Sequence, residues 1–381
     1  MDINNFIREY IGKLPYEEIG KKCGITAEAV RKRAQRMGIT GKKKDDTEQF
    51  RDDKVRSVER KSESALAKKY RLALQELESK DKEIEALLQI NKPVETYTIE
   101  PKKTGGHSEG VAFLIASDWH IEEPVNPEIV SGLNSYDLTE SQRRAKLFFT
   151  RGLRLTEIVR RDVEINTIVI ALLGDFITNS IHEDSMEDNL LSPVDAAIRC
   201  AEYLCSGIEF ALEFTKDWDT KFYIPCHTGN HGRMTKERRV STEAGNSLER
   251  MMYALIQKHF RDEKRVMINI ASGYHSYFEC YGATIRFHHG HAINYGGGVG
   301  GITIPINKAI AQWQRGRRAD LDVFGHFHQF FDGGKFVANG SMIGYNAFAL
   351  QVKAEFEKPK QAFFVWDKKR GKTWTAPILF H

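Results

Sequence analysis

The chain has 381 residues, a hydrophobic fraction of 41%, and 56 Lys and Arg against 52 Asp and Glu for a formal charge of +4. That length allows two domains or one large domain with appendages, and the charge is too mild to argue for nucleic acid by itself. No run nears the ~18 apolar residues of a membrane helix, and "MDINNFIREY" lacks the basic-then-apolar order of a signal peptide, so neither is expected.

Residues 1–41 read as helix, helix, turn, helix. Ile3, Phe6, Ile7 and Tyr10 share one helical face, and Pro15 suits the first turn of a second helix. A tight turn passes through Gly24, and Thr26 is placed to cap "AEAVRKRAQRMG", which ends at Gly38. The pattern resembles a helix-turn-helix head, whose last helix enters the DNA major groove. That helix offers Arg31, Lys32, Arg33 and Arg36 as DNA-binding residues. Residues 1–44 hold 11 Lys and Arg against 5 Asp and Glu, an asymmetry that suits phosphate contacts. A small protein-interaction module with a solvated basic face fits the same pattern.

Residues 42–92 are charged and helical in period. Leu66, Tyr70, Ala73, Leu77, Lys80, Ile84, Leu87 and Asn91 follow a 4-3-4-3 spacing, which predicts a helical stalk. The stalk either lies as one long helix or joins chains as a coiled coil, making residues 55–91 a homo-oligomer contact. Residues 93–109, "PVETYTIEPKKTGGHSE", read as a linker.

From residue 110 to 381 the pattern is α/β. Strands at "VAFLIAS", "INTIVIALL" and "KFYIP" alternate with helices near 140–161 and 194–215. Closely spaced later runs, "YHSYFEC", "ATIRFHH", "DVFGHF", "KFVANG" and "AFFVWD", predict a second sheet packed on the first. The five cysteines, Cys23, Cys200, Cys205, Cys226 and Cys280, are odd in number and lack zinc-finger spacing, which predicts reduced thiols in a cytoplasmic setting.

Five clusters of polar residues each follow an apolar strand: "SDWH", "LLGDF", "TGNHG", "FHHGH" and "FGHFH". Open α/β sheets place ligand loops at strand ends. The donors are carboxylates, an amide and imidazoles with no thiolate, a set that suits Mn, Fe, Zn or Ni. Each cluster alone is weak, since a lone Asp is often a helix cap and a lone His a core residue. All five in order form a specific constellation. The arrangement Asp118-x-His120, Gly174-Asp175, Gly229-Asn230-His231, His289-Gly290-His291 and Gly325-His326-x-His328 resembles the calcineurin-like metallophosphoesterase superfamily over residues 110–340.

The resemblance implies a four-layer α/β/β/α sandwich holding two divalent cations, manganese first, with iron, zinc or nickel as alternatives. It assigns Asp118, His120 and His328 to one ion and Asn230, His289 and His326 to the other, with Asp175 bridging. A bridging hydroxide would attack phosphorus in line, and His231 would protonate or stabilise the leaving oxygen as a catalyst rather than a ligand. Two positions depart from the pattern. Gly232 stands where an acidic residue often follows Asn-His, and Thr178 replaces the last Asp of GDxxD, which leaves His231 without its usual orienting carboxylate.

The substrate class follows from basic residues near the site. Arg233 follows the catalytic turn and is placed to contact a substrate phosphate; Lys236, Arg238, Arg239, Arg315, Arg317 and Arg318 add charge. Trp119 either stacks on a base or packs against the sheet. The five glycines within "NYGGGVGG" (294–301) suggest a flap or a plain surface connection. These features favour a DNA nuclease of the DNA-repair exonuclease-like branch. The alternatives are a phosphomonoesterase or protein phosphatase, a cyclic-nucleotide or other small-molecule phosphodiesterase, and an inert scaffold.

Overall fold

A computed structural model describes residues 2–39, 97–99, 108–181, 183–295 and 301–381, together with isolated helical positions between 54 and 80. The chain divides into two compact units, residues 1–92 and 93–381. No helix among the described residues is long and apolar enough to cross a membrane. All five cysteines are free thiols.

In the first unit, α1 (Ile3–Tyr10), α2 (Tyr16–Cys23) and α3 (Ala27–Arg36) close on a small core of Ile7, Ile19, Val30 and Ala34. Gly24 adopts the left-handed conformation that ends α2, with φ 67°. Thr26 Oγ1 then accepts the Ala29 amide at 3.3 Å and starts α3. Arg31, Lys32 and Arg36 lie exposed on α3 and Arg33 is half-buried. Lys32 pairs with Glu28 at 3.2 Å. Apart from Ala73 and Lys80, which are helical, the heptad positions of the predicted stalk lie outside the described residues, as does most of the 55–91 contact.

The second unit holds two six-stranded sheets. The first runs β12 (Gly371–Leu379), β11 (Lys360–Asp367), β2 (Ser108–Ala116), β3 (Val163–Leu172), β4 (Lys221–Cys226), β5 (Val266–Ile270). Here β2 to β5 are parallel and β11 and β12 form an antiparallel margin. The second runs β1 (Tyr97–Ile99), β6 (Ser276–Cys280), β7 (Ala283–Phe287), β8 (Leu321–Phe324), β10 (Phe336–Ala338), β9 (Phe331–Asp332).

Strand alternation sorts the side chains into layers. Val111, Phe113 and Ile115 of β2 point between the sheets, where they meet Phe278, Ile285, Phe287 and Val323. Ala112, Leu114 and Ala116 point the other way, into a core shared with the helices α4 (Leu138–Val159), α6 (Pro193–Phe214) and α7 (Leu248–His259); the short α5 (Glu183–Asp188) precedes α6. On the far side, Phe324 and Phe336 pack with Ile306 and Ile310 of α8 (Thr303–Trp313). A last short helix, α9, spans Ala347–Gln351. The result is a helix, sheet, sheet, helix order.

Two expectations are corrected. "AFFVWD" is not part of the second sheet but of β11, antiparallel to β2 in the first. Its two faces are both apolar, Phe363 and Val365 toward the helices and Ala362 and Phe364 between the sheets. The segment read as a linker contributes β1, where Tyr97 stacks on Tyr223 at 4.8 Å.

Candidate metal centre

The loops after β2, β3 and β4, neighbours in one sheet, meet the loops after β7 and β8, neighbours in the other. All five polar clusters therefore converge at one end of the sandwich. Ligand atoms of Asp118, His120 and His328 lie within 4.8 Å of one another, and so do those of Asp175, His289 and His326. A third set joins His120, Asp175 and His231 within the same limit, so His231 stands among the candidate ligands. Buried His and Asp side chains here can hold a metal ion.

Orphaned buried atoms point to the same place. Asn230 Oδ1 and His120 Nε2 are buried with no hydrogen-bond partner. Leaving such atoms unsatisfied is costly, so each is expected to have a partner the protein itself does not supply. His289 Nε2 stands 2.9 Å from Asp175 Oδ2 but out of line for a hydrogen bond, and His328 Nε2 stands 3.3 Å from Asp118 Oδ1. The residues fit a cation bound by oxygen and imidazole donors.

Hydrogen bonds at Nδ1 fix the imidazoles. His289 Nδ1–H donates to the Leu173 carbonyl at 2.6 Å, which directs Nε2 toward Asp175. His120 Nδ1 lies 2.9 Å from Thr178 Oγ1, and that hydroxyl donates to Glu123 Oε2 at 3.0 Å. The hydroxyl therefore accepts from Nδ1–H, and His120 Nε2 keeps its lone pair. His231 Nδ1–H donates to the Thr178 carbonyl at 3.0 Å, and its backbone amide donates to Asp175 Oδ1 at 2.8 Å. The carbonyl of Thr178 thus orients His231 where a carboxylate was lacking.

The loops are tight and strained. Asp118, His120, Asp175, His326 and His328 all adopt φ between 47° and 71°. Such left-handed backbone costs of order 1–3 kcal/mol per residue and persists where surroundings enforce it. Two amides do so here: those of Asp118 and Trp119 donate to the Gly174 and Asp175 carbonyls at 2.9 and 2.8 Å. Gly229 explains the Gly-Asn order. A Cβ there would lie 2.0 Å from Asp175 Oδ1, so only glycine lets the two loops close.

The buried carboxylates and imidazoles act strongly on one another. Burial pushes Asp175 up, but His289 and His231 outweigh it and hold the carboxyl well below its usual range. Burial pushes His289 down, yet Asp175 raises it to about 10. Burial and neighbouring histidines drive His120 and His326 well below the ordinary imidazole value, leaving them neutral donors.

The predicted ligands Asp118, His120, Asp175, Asn230, His289, His326 and His328 come together with His231. Trp119 is fully buried between Phe148 and Phe176 and donates Nε1–H to Gln361 Oε1 at 3.2 Å, so it packs and offers no face to a base. Arg233 Nη1 donates to the Asn230 carbonyl at 2.6 Å, bracing the ligand turn. Arg238 Nη1 donates to the His291 carbonyl at 3.3 Å. Arg317 lies over the Tyr277 ring at 3.8 Å. Residues 296–300 of the glycine-rich stretch lie outside the described residues.

Sequence reasoning missed the supporting shell. Ser117 Oγ donates to Asp118 Oδ2 at 2.5 Å and accepts from Asn339 Nδ2 at 2.8 Å. Gln361 Oε1 accepts the Ser117 amide at 3.0 Å from 244 positions away. Asn179 Nδ2 donates to the His231 carbonyl at 2.9 Å, and Glu122 Oε1 accepts the Thr178 amide at 2.8 Å. Only the adjacency of Ser117 and Asp118 left a trace in the sequence.

No protein-family model matches the sequence, and no curated protein matches it. Among solved structures, the hypothetical protein PH1004 from Pyrococcus horikoshii OT3 is similar over 71% of this chain and 89% of its own, at 12% identity and TM-score 0.33. Vps29 from Chaetomium thermophilum is similar over 70% of this chain and 94% of its own, at 10% identity and TM-score 0.27. What the chain does has to be read from its own side chains.

Proposed function

We propose that the chain is a phosphoester hydrolase dependent on two divalent cations, manganese first, and that its substrate class is the phosphodiester of DNA. The observation that carries the reading is the meeting of two donor sets, Asp118–His120–His328 and Asp175–His289–His326, beside the unpartnered Oδ1 of Asn230. Bound divalent cations supply Lewis acidity and an activated water to such a site.

The protein's own groups do the positioning. Asp175 lies against His289 on one side and shares a donor set with His120 on the other, which supports the reading that it would be shared by two cations. Its Oδ1 also accepts the His231 amide, which ties the proposed ligand to the proposed catalyst. His231, oriented by the Nδ1–H that it donates to the Thr178 carbonyl, is the group that would protonate or hold the departing oxygen. The proposal of DNA rests on charge: Arg31, Lys32, Arg33 and Arg36 on α3, with Arg233 and Arg238 beside the ligand turn, match a polyanion.

The test is hydrolysis of bis-p-nitrophenyl phosphate, p-nitrophenyl phosphate and labelled single- and double-stranded DNA with Mn²⁺. Manganese-dependent cleavage of the diester and of DNA, abolished by Asp175→Asn, is expected. Cleavage of the monoester alone would overturn the nuclease reading in favour of a phosphomonoesterase. Hydrolysis unaffected by chelation would overturn the metal-dependent reading.

A further inference from the structure

The geometry points to Glu249 as a positioning residue of the metal centre, joining the loop that carries Asp175 to the loop that carries Asn230 and His231. Glu249 is fully buried in the first turn of α7, which Ser247 caps. Its Oε1 accepts the Phe176 amide at 2.6 Å, and its Oε2 accepts the Gly229 amide at 2.7 Å. Phe176 follows Asp175, and Gly229 precedes Asn230. One carboxylate therefore spans two ligand loops from different strands.

The reason lies in how closely those loops approach. A Cβ on Gly174 would lie 2.2 Å from the Gly229 nitrogen, so the two backbones touch there. Their amides at 176 and 229 both need an acceptor, and the two oxygens of one carboxyl group meet both. The same helix grips the turn at two further points. The Leu248 amide donates to the Gly232 carbonyl at 2.8 Å, and Tyr253 Oη–H donates to the His227 carbonyl at 2.8 Å.

Gly232 completes the fit. A Cβ at 232 would lie 2.7 Å from Glu249 Cγ, so the space beside the residue after His231 is filled by the Glu249 stem. A carboxylate from a separate helix thus stands beside the Asn-His turn, where the turn has none of its own. Glu249 touches neither substrate nor cation in this account; it acts through Asp175 and Asn230.

This inference rests on the site being a metal centre. The test is Mn²⁺ binding by titration calorimetry to the full chain and to Glu249→Gln, with circular dichroism confirming that each is folded at the temperature used. Glutamine keeps the shape but turns an N–H toward one of the two amides. A loss of about tenfold or more in Mn²⁺ affinity is expected, as for other residues that orient ligands. A side chain that only stabilises the fold would lower the melting temperature and leave the affinity of the folded protein alone. Unchanged affinity in folded Glu249→Gln, with the parent binding Mn²⁺, would overturn the inference and leave the metal-centre reading standing. A parent that binds no Mn²⁺ overturns both. Should Glu249→Gln fail to fold, Gly232→Ala carries the test, because its methyl would crowd the Glu249 stem at 2.7 Å and Ser247 Oγ at 2.8 Å. Weakened binding is again expected, and parental affinity overturns the inference.

Discussion

Asp175 faces His289, receives the His231 amide and shares a donor set with His120. Asp175→Asn is therefore expected to lose both Mn²⁺ affinity and turnover, measured by calorimetry and diester hydrolysis. His231→Ala should keep the cations and lose turnover by about 10²–10⁴, the usual contribution of a positioned acid; full activity would exclude it as a catalyst. Thr178→Val separates the two roles of Thr178. It deletes the hydroxyl between His120 and Glu123 but keeps the carbonyl that holds His231. Weaker metal binding by about 10–100-fold is expected, with His231 still in place. Residues such as Asp118 and His326 were legible because unusual donors followed apolar strands. Gln361 and Glu249 were not, since a buried polar residue in a strand or a first-turn glutamate reads as ordinary until its distant partner is known.

At the scale of elements, β7 and β8 bring His289 and His326 into register, and a buried ion pair ties them. Arg286 Nε and Nη2 donate to Asp322 Oδ1 and Oδ2 at 2.7 and 3.0 Å, with both side chains essentially fully buried. Removing one partner strands a buried charge, so Asp322→Ala should cost about 3–5 kcal/mol in denaturant unfolding. Burial pushes the Asp322 carboxyl up, but His288 and Arg286 hold it below its usual value. The folded pKa is thus depressed, so the pair's stabilisation is present above pH ~4 and is lost as pH falls through the folded pKa. Acid unfolding of Asp322→Asn should lack that component. The central strands β2, β3 and β4 could be read from continuous apolar runs. The edge strands β5 and β12 could not: half-exposed, they carry Asn269, Lys372 and Thr375 among their apolar residues. Nor could β11 be assigned to its sheet, because an apolar run does not say which sheet buries it.

For the whole molecule, the division at residue 92 separates the unit that carries the basic helix α3 from the one that carries the candidate metal centre. Removing residues 1–92 is expected to weaken DNA binding and flatten its salt dependence, while hydrolysis of bis-p-nitrophenyl phosphate continues. Unchanged DNA affinity in a filter-binding or anisotropy assay would refute a DNA role for the head. The order of strands, helices and ligand loops was visible along residues 110–381 because period and punctuation are local properties. How five loops close on one point was not, since that depends on two sheets packing face to face.

Anomalous diffraction from crystals grown in saturating manganese tests the central claim most directly. Two peaks about 3.5–4 Å apart, one beside Asp118, His120 and His328 and the other beside Asn230, His289 and His326, with Asp175 between them, are expected. An anomalous map with no peak within bonding distance of Asp175 would contradict it.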